Sequence, residues 1–366
     1  MKSQAPKSQP VILSGIAPSG NLHIGNYLGA LKQWVELQKT HRVFAMVADL
    51  HAITTPQDPE ELRKKTREVA ALMIACGIDP EQSVVFIQSH VPAHAQLAWI
   101  LNTITPLGEL ERMTQFKDKA KNAETVAAFT EIADSRDENE FAERFEMGSY
   151  TKKIGLAVNA GLLNYPTLMA ADILLYKATH VPVGEDQLQH LELTRTLARK
   201  FNNRFGEVFV EPQPFIIKDT ARIMGLDDPA KKMSKSAPNP TNYIGLLDSP
   251  DIIRKKIKSA VTDSGADIRY NEKEKPAISN LMRIHAAFSG QTITDIESRY
   301  RGKGYADFKR ELGELLVEKL APVRDHYAKL SKDKKTLDGI LTSGAARANE
   351  TALKTFEQVK TLVGLL

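Results

Sequence analysis

The stretch Val11-Ile12-Leu13-Ser14-Gly15, continuing through Ile16-Ala17-Pro18-Ser19-Gly20-Asn21-Leu22-His23-Ile24-Gly25-Asn26, decides the architecture. Its first five residues are too few for a helix and lack a polar alternation, so they read as a strand buried on both faces. A turn with Pro18 and Gly20 follows, then a helical period from residue 24 to about 38. The same rhythm continues outward. Residues 43–48 read as a second strand ending at Asp49. Asp58 caps a helix that begins at Pro59, with Glu61 three residues beyond the cap, and Gly77 ends it. Residues 84–87 read as a third strand and residues 94–102 as a helix. This β-α-β-α-β order predicts an α/β fold, a Rossmann-like parallel sheet covered on both faces. Ligands of such sheets sit beyond the carboxyl ends of the strands. The residues just after Gly15, Asp49 and Gln88 are therefore where a site is expected.

The 366 residues are enough for two or three domains. Residues 1–10, MKSQAPKSQP, read as a disordered polar tail, and the catalytic α/β domain is expected over residues 11–245. Residues 122–153 break its rhythm, being rich in Ala, Glu and Asp with few large apolar residues besides Phe129, Phe141 and Phe145. They read as an inserted segment, helical or partly mobile, or as a solvated loop without a role. After Tyr165-Pro166 comes a helix through Tyr176, then a strand at residues 180–183, then a long helix from near Asp186 to about Arg204. From Pro250 onward the period is helical, with Arg254, Lys255, Lys256 and Lys258 interleaved, which predicts a C-terminal α-helical domain over residues 246–366.

Composition narrows the function by exclusion. The single cysteine, Cys76, cannot form an internal disulfide and argues against a Cys/His zinc cage. No run approaches the ~18 apolar residues of a membrane span, and the first residues lack a signal-peptide core, so a cytoplasmic location is expected. A net charge of +4 is too small to attract a polyanion globally, so any such partner must be held by local clusters.

Four features carry chemistry. The helix start near Ile24 presents free N–H groups and the positive end of a dipole, a natural phosphate cradle. His23 and Asn26 share a face there and both can donate hydrogen bonds. A plain helix cap with an exposed histidine is the other reading. The run Lys232-Met233-Ser234-Lys235-Ser236, before Pro238, is too polar for a core strand. Its ammonium groups could follow a departing pyrophosphate, or it could be an ordinary solvated lysine run. Asp172 lies inside an apolar helix with Met169 and Tyr176 on the same side and Tyr165 two turns back. A buried carboxylate needs a partner, either a donor on an aromatic ligand or a structural cation. Gly184-Glu185-Asp186-Gln187 precedes the long helix. Asp186 is a good N-cap, while Gln187 and His190 share a face and could point into a pocket.

At these residues the chain resembles the class I aminoacyl-tRNA synthetases. PSGNLHIGN is similar to the family's HIGH motif, and KMSKS is unaltered. GNYLGALKQWVELQ, DLHAIT, ACGIDP, QSHVPAHAQLAW, GELERMTQFKDK, YPTLMAADILLY and VPVGEDQLQHLELTR resemble the bacterial-type tryptophanyl branch. The resemblance runs from about residue 11 to the C-terminus and implies activation of L-tryptophan by ATP and transfer to tRNA(Trp), by a homodimer using Mg²⁺ with ATP. It places Ala17, Pro18, Ser19, Gly25, Asn26, Gly184, Glu185, Asp186 and Ile223 at the ATP site, Ile223 in a strand before the basic loop. Lys232, Met233, Ser234, Lys235 and Ser236 fall in the mobile ATP loop. Catalytic roles are implied for His23, Asn26, Lys232 and Lys235, and no dedicated metal ligands. Asp172 falls where the family's carboxylate accepts the indole N–H, with Tyr165, Met169, His51 and Gln187 lining that pocket. RNA contacts are expected near Arg112, Lys117 and Lys119 and from the helices after Pro250, which should reach the anticodon. Ala17 and Leu50 depart from the family, which often has Gln at both places.

Overall fold

Five parallel strands, β1 (Val11–Ile16), β2 (Arg42–Val47), β3 (Val84–Ile87), β4 (His180–Pro182) and β5 (Gln213–Phe215), form one sheet in the order β3-β2-β1-β4-β5. This computed structural model describes residues 9–114, 116–117, 159–215, 222–234, 237, 239–265 and 267–365. The expected insertion at residues 122–153, Lys119, Lys235, Ser236 and most of the N-terminal tail lie outside the described residues.

β1, β2 and β3 are largely apolar because both faces of the sheet are covered. Ile12, Val43, Ala45, Val47, Val85 and Ile87 enter one core, while Leu13, Phe44, Met46, Val84 and Phe86 enter the other. β5 was not expected from the sequence. It is three residues long and flanked or interrupted by Pro212 and Pro214, which demote a strand in any pattern reading and are tolerated only at an edge. The strand order reverses between β1 and β4, so the crevice beyond their carboxyl ends is the topological switch point.

The helices follow in chain order. α1 starts as Ile24–Asn26, widens into an i→i+5 turn over Tyr27–Leu31 and continues as Lys32–Leu37, so the uniform helix expected there is interrupted. α2 (Pro59–Ala75) has its cap on Asp58, which accepts from Glu60 and Glu61 N–H, and Gly77 beyond it at φ +110°. α3 (Ala93–Asn102), α4 (Leu107–Glu111), α5 (Ala160–Leu175) and α6 (Leu188–Phe205) complete the α/β part, with α5 packed on α3. Every described element beyond residue 246 is a helix: α7 (Pro250–Ser259), α8 (Pro276–Ser289), α9 (Ile293–Arg299), α10 (Tyr305–Lys332) and α11 (Lys334–Val363).

α10 packs on α7 and on α2, and α11 returns to the edge strand β3. Ala348, Ala352, Phe356 and Val359 of α11 share the core of Phe44 and Phe86. The Arg347 guanidinium donates to the carbonyls of Pro80 at 2.7 Å and Ser83 at 3.1 Å. The last helix thereby covers an edge that would otherwise offer unpaired backbone groups.

Contact is closest at Gly344, where a Cβ would lie 1.8 Å from the Val85 carbonyl oxygen. Gly344→Ala is expected to cost about 1–3 kcal/mol through overpacking. Gly339 lies in the same helix, exposed, with nothing within 4 Å of an added Cβ. Gly339→Ala should stabilise by ~0.5–1 kcal/mol. Thermal melts of the two variants should move in opposite directions.

Candidate active site

His23 caps α1 with its own ring. Its backbone is extended (φ −130°, ψ 172°), its Nδ1 accepts the Gly25 N–H at 3.1 Å, and Asn26 Oδ1 accepts the His23 N–H at 3.1 Å. Because Nδ1 accepts, a neutral ring carries its proton on Nε2. The histidine is only 5% exposed, which corrects the alternative of an exposed one. Gly25 is required beneath it, since a Cβ there would lie 2.9 Å from the His23 ring.

This turn is tied to the basic segment through the backbone. Ile24 N–H donates to the Ile244 carbonyl at 3.0 Å, and Leu246 N–H donates to Leu22 at 2.9 Å, an antiparallel bridge that pairs His23 with Gly245. The basic segment folds over a second bridge, Met224 with Lys232, in which Gly225 N–H donates to Lys231 at 2.8 Å and Met233 N–H to Ile223 at 3.0 Å. Ile223 was expected in a strand. It lies instead in a loop that makes only this bridge. Met233 and Ile223 are buried in the same core as Leu22 and Ile24, and Met233 Sδ would be 3.9 Å from a Cβ on Gly25. Asn242 accepts the Ser234 N–H at 3.0 Å and donates to Asp227, and Asn280 accepts from and donates to the Met224 backbone, both at 2.9 Å. The Lys232 side chain is left at the surface of this anchored loop. Asn242 and Asn280 were not anticipated, since asparagines in a polar loop and an apolar helix give no signal in one sequence.

A cavity of about 410 Å³ opens at the switch point. Ala17 and Ser19, after β1, line it together with His51, Tyr165, Met169, Asp172 and Gln187, the whole set expected around the amino acid. After β4, residues Glu185–Gln187 form a short 3-10 turn, and the N-cap of α6 is Gln187 without a side-chain cap bond. Asp186 is therefore not the cap it was expected to be. Its carboxylate folds over Gly184, where a Cβ would be 2.8 Å from Oδ1, and accepts from Gln187 Nε2 at 2.8 Å.

Asp172 lines this cavity and is only 2% exposed. Its Oδ1 accepts from Gln88 Nε2 at 2.8 Å and from His94 Nδ1 at 2.6 Å, and its Oδ2 accepts from His51 Nε2 at 2.8 Å. Burial pushes this carboxyl upward, but the hydrogen bonds from His51 and His94 outweigh it and hold it below the usual carboxylate range. A depressed folded value means that the stabilisation is complete above the unfolded value of ~3.9 and is lost as pH falls through the folded one. His94 Nε2 meets the Tyr176 hydroxyl at 2.8 Å. Burial, and then the Asp172 charge, raise the Tyr176 phenol well above its ordinary value. The Tyr165 hydroxyl meets His190 Nε2 at 2.8 Å, and burial raises Tyr165 to about 12. Gln88 and His94 were missed as partners. Gln88 marks a strand end singled out above, and a lone histidine in an apolar helix more often means packing.

The family described as tRNA synthetases class I (W and Y) matches residues 5–321. A tryptophan–tRNA ligase of Bacillus anthracis is 50% identical over 355 residues, 97% of this chain and 98% of the relative. One from Listeria monocytogenes serovar 1/2a is 51% identical over 355 residues, 97% of each. The tryptophanyl-tRNA synthetase structure from Mycoplasma pneumoniae gives a TM-score of 0.82 at 35% identity over 98% of each chain. The Campylobacter jejuni structure, complexed with ADP and tryptophan, gives 0.77 at 35% identity over 97% of this chain and 100% of that one. With its likeness extending over nearly the whole length, the chain belongs to the class I tRNA synthetases for tryptophan and tyrosine, in the bacterial-type tryptophanyl branch.

Proposed function

We propose that the chain is a tryptophan–tRNA ligase whose specificity is set at Asp172. The observation that carries this reading is the ionised, buried carboxylate in a cavity that Ala17 and Ser19 of the ATP-motif turn also line. In the first step, the tryptophan carboxylate attacks the α-phosphorus of Mg·ATP. A P–O bond forms, the α–β bridging bond breaks, and pyrophosphate leaves. In the second, a hydroxyl of the terminal adenosine of tRNA(Trp) attacks the acyl carbon and AMP leaves. The substrate supplies the nucleophile of the first step, so the protein's work is placement and charge compensation.

His23 offers Nε2–H to a phosphate oxygen because Nδ1 is engaged in its own cap, and Asn26 offers Nδ2 because Oδ1 is engaged. Lys232, with Lys235, compensates charge on the departing pyrophosphate. Ala17, Pro18, Ser19, Gly25, Gly184, Glu185, Asp186, Ser234 and Ser236 border the nucleotide. Ile223 and Met233 act from the core, by holding the loop in register. Magnesium enters as part of the nucleotide substrate, held by phosphates and water. Among the described residues no group of three or more His, Cys, Asp and Glu offers a cage. Opposite the nucleotide, Asp172 takes the indole N–H, and Tyr165, Met169, His51 and Gln187 enclose the amino acid. A phenol can also donate to Asp172, so Met169 and the cavity shape must exclude tyrosine.

Residues 246–366 are proposed to contact the anticodon. Of the four basic residues on α7, Arg254 is held by Glu314 at 2.7 and 3.0 Å and Lys256 by Asp248 at 2.7 Å, leaving exposed Lys255 and Lys258 to face RNA. Arg112 and Lys117 flank the acceptor side. No described helix is long and apolar enough to cross a membrane, in keeping with a cytoplasmic role. A homodimer is proposed across α3, where Pro92, Ala95, Gln96, Trp99 and Thr103 form an exposed stripe without charge. Trp99 is 71% exposed and nearby Leu107 59%, an apolar surface suited to a second copy.

In tryptophan-dependent pyrophosphate exchange, Asp172→Ala should lose at least ~10²-fold in kcat/KM for tryptophan. Nucleotide titration of the same preparation should find ATP affinity almost unchanged, and tyrosine should support no exchange in the parent enzyme. Wild-type exchange by Asp172→Ala would refute the specificity assignment. Lys232→Ala should lower kcat by about 10²-fold, with a melting curve that overlays the parent's. Trp99→Asp should shift sedimentation from dimer to monomer.

A further inference from the structure

We infer that Gln88, His94 and Tyr176 are positioning residues, the first two saturating Oδ1 of Asp172 and the third holding His94, and so leave Oδ2 as the atom that takes the ring N–H of the substrate. The inference rests on the tryptophan specificity proposed above.

A carboxylate oxygen has two lone pairs in the plane of the group. On Oδ1 both are used, by Gln88 at 2.8 Å and His94 at 2.6 Å. Oδ2 accepts from His51 at 2.8 Å, and His51 itself lines the cavity. Gln88, His94 and Tyr176 do not line it and are at most 2% exposed, so they can reach a ligand only through Asp172.

The donor directions are fixed by chemistry. An ionised Asp172 can only accept, so His94 must donate from Nδ1. In a neutral His94 ring, Nε2 then accepts from Tyr176, whose phenol keeps its proton. The result is a one-way chain, Tyr176 to His94 to Asp172. Gln88 is fixed independently, because its Oε1 accepts the Leu50 N–H at 3.1 Å, which turns the amide nitrogen toward Asp172. The titratable groups facing the carboxylate are thus His51 from the turn after β2, His94 from α3 and Tyr176 at the end of α5, with neutral Gln88 after β3. Donors from three separate elements converge on one carboxylate and stop it rotating about its Cβ–Cγ bond. A fixed acceptor rejects a ligand that lacks the N–H, because the ligand then leaves a buried lone pair unmatched.

The test compares tryptophan with 3-benzothienylalanine, in which sulfur replaces the ring N–H, as substrates for pyrophosphate exchange. The parent enzyme should favour tryptophan by ~10² or more in kcat/KM. His94→Ala should lower that ratio about tenfold, and His94→Asn, whose amide can donate in place of Nδ1, should restore much of it. Tyr176→Phe should lower it roughly threefold. Loosened packing alone would depress both substrates equally and leave the ratio where it was. Thermal melts establish which variants are folded, and Tyr176→Phe decides the matter where a His94 variant is not. An unchanged ratio in the folded variants, with a discriminating parent, overturns the positioning role alone. A parent without tryptophan-dependent exchange overturns the proposed function and this inference with it.

Discussion

Two backbone hydrogen bonds, from Ile24 to Ile244 and from Leu246 to Leu22, hold together segments that lie at opposite ends of the α/β part of the chain. Neither segment forms a strand of the main sheet, so nothing in the sheet itself would bring them together. Once paired, they put the cap of α1 and the root of the basic loop on one scaffold. Met233 completes the arrangement by burying its side chain beside Gly25, in the core that also holds Leu22 and Ile24. The lysine before it is thereby left at the surface, with its backbone fixed and its side chain free to sweep.

The sheet supplies the second constraint. Parallel pairing in the order β3-β2-β1-β4-β5 leaves one place where adjacent strands continue in opposite directions of the fold, between β1 and β4. The turn after β1 carries Ala17 and Ser19, and the turn after β4 carries Gln187, so both reach the same cavity. Asp172 arrives from α5, the helix immediately before β4. Its burial requires donors, and the chain ends after β2 and β3 supply His51 and Gln88 while α3 supplies His94. The site is therefore assembled from the tips of elements whose bodies are core.

Much of this was legible in the sequence because it follows from local pattern. β1, β2, β3 and the cap of α2 at Asp58 are visible from apolar runs and side-chain chemistry alone. The Asp172 side of the cavity was legible through one anomaly, a carboxylate in an apolar helix. Its partners were not, because a histidine donating to Asp172 and a histidine filling a core leave the same trace in a single sequence. The wide turn in α1 was hidden for a related reason. Ile24, Leu28 and Leu31, spaced four and three apart, satisfy an ordinary helical period as well as the widened one, and nothing in the side chains reports an extra residue in the turn. β5 was obscured by its prolines, and the bridge between residues 22–24 and 244–246 by its distance in sequence.

The C-terminal helices are not independent of the site. Tyr243 lies with its ring centroid 5.7 Å from that of His23, and the Lys256 ammonium of α7 lies 4.7 Å from the centroid of the same ring. Lys256 also pairs with Asp248 at 2.7 Å, and Asp248 accepts the Gly245 N–H at 2.8 Å. Gly245 is the residue bridged to His23. Two short routes, one through an aromatic ring and one through a carboxylate, thus run from a single lysine on α7 to the cap of α1. A displacement of α7 that kept Lys256 paired would pull on Gly245, and one that broke the pair would leave Asp248 holding Gly245 without its counter-charge. Either change would arrive at the residue bridged to His23, whose buried ring packs 5.7 Å from that of Tyr243.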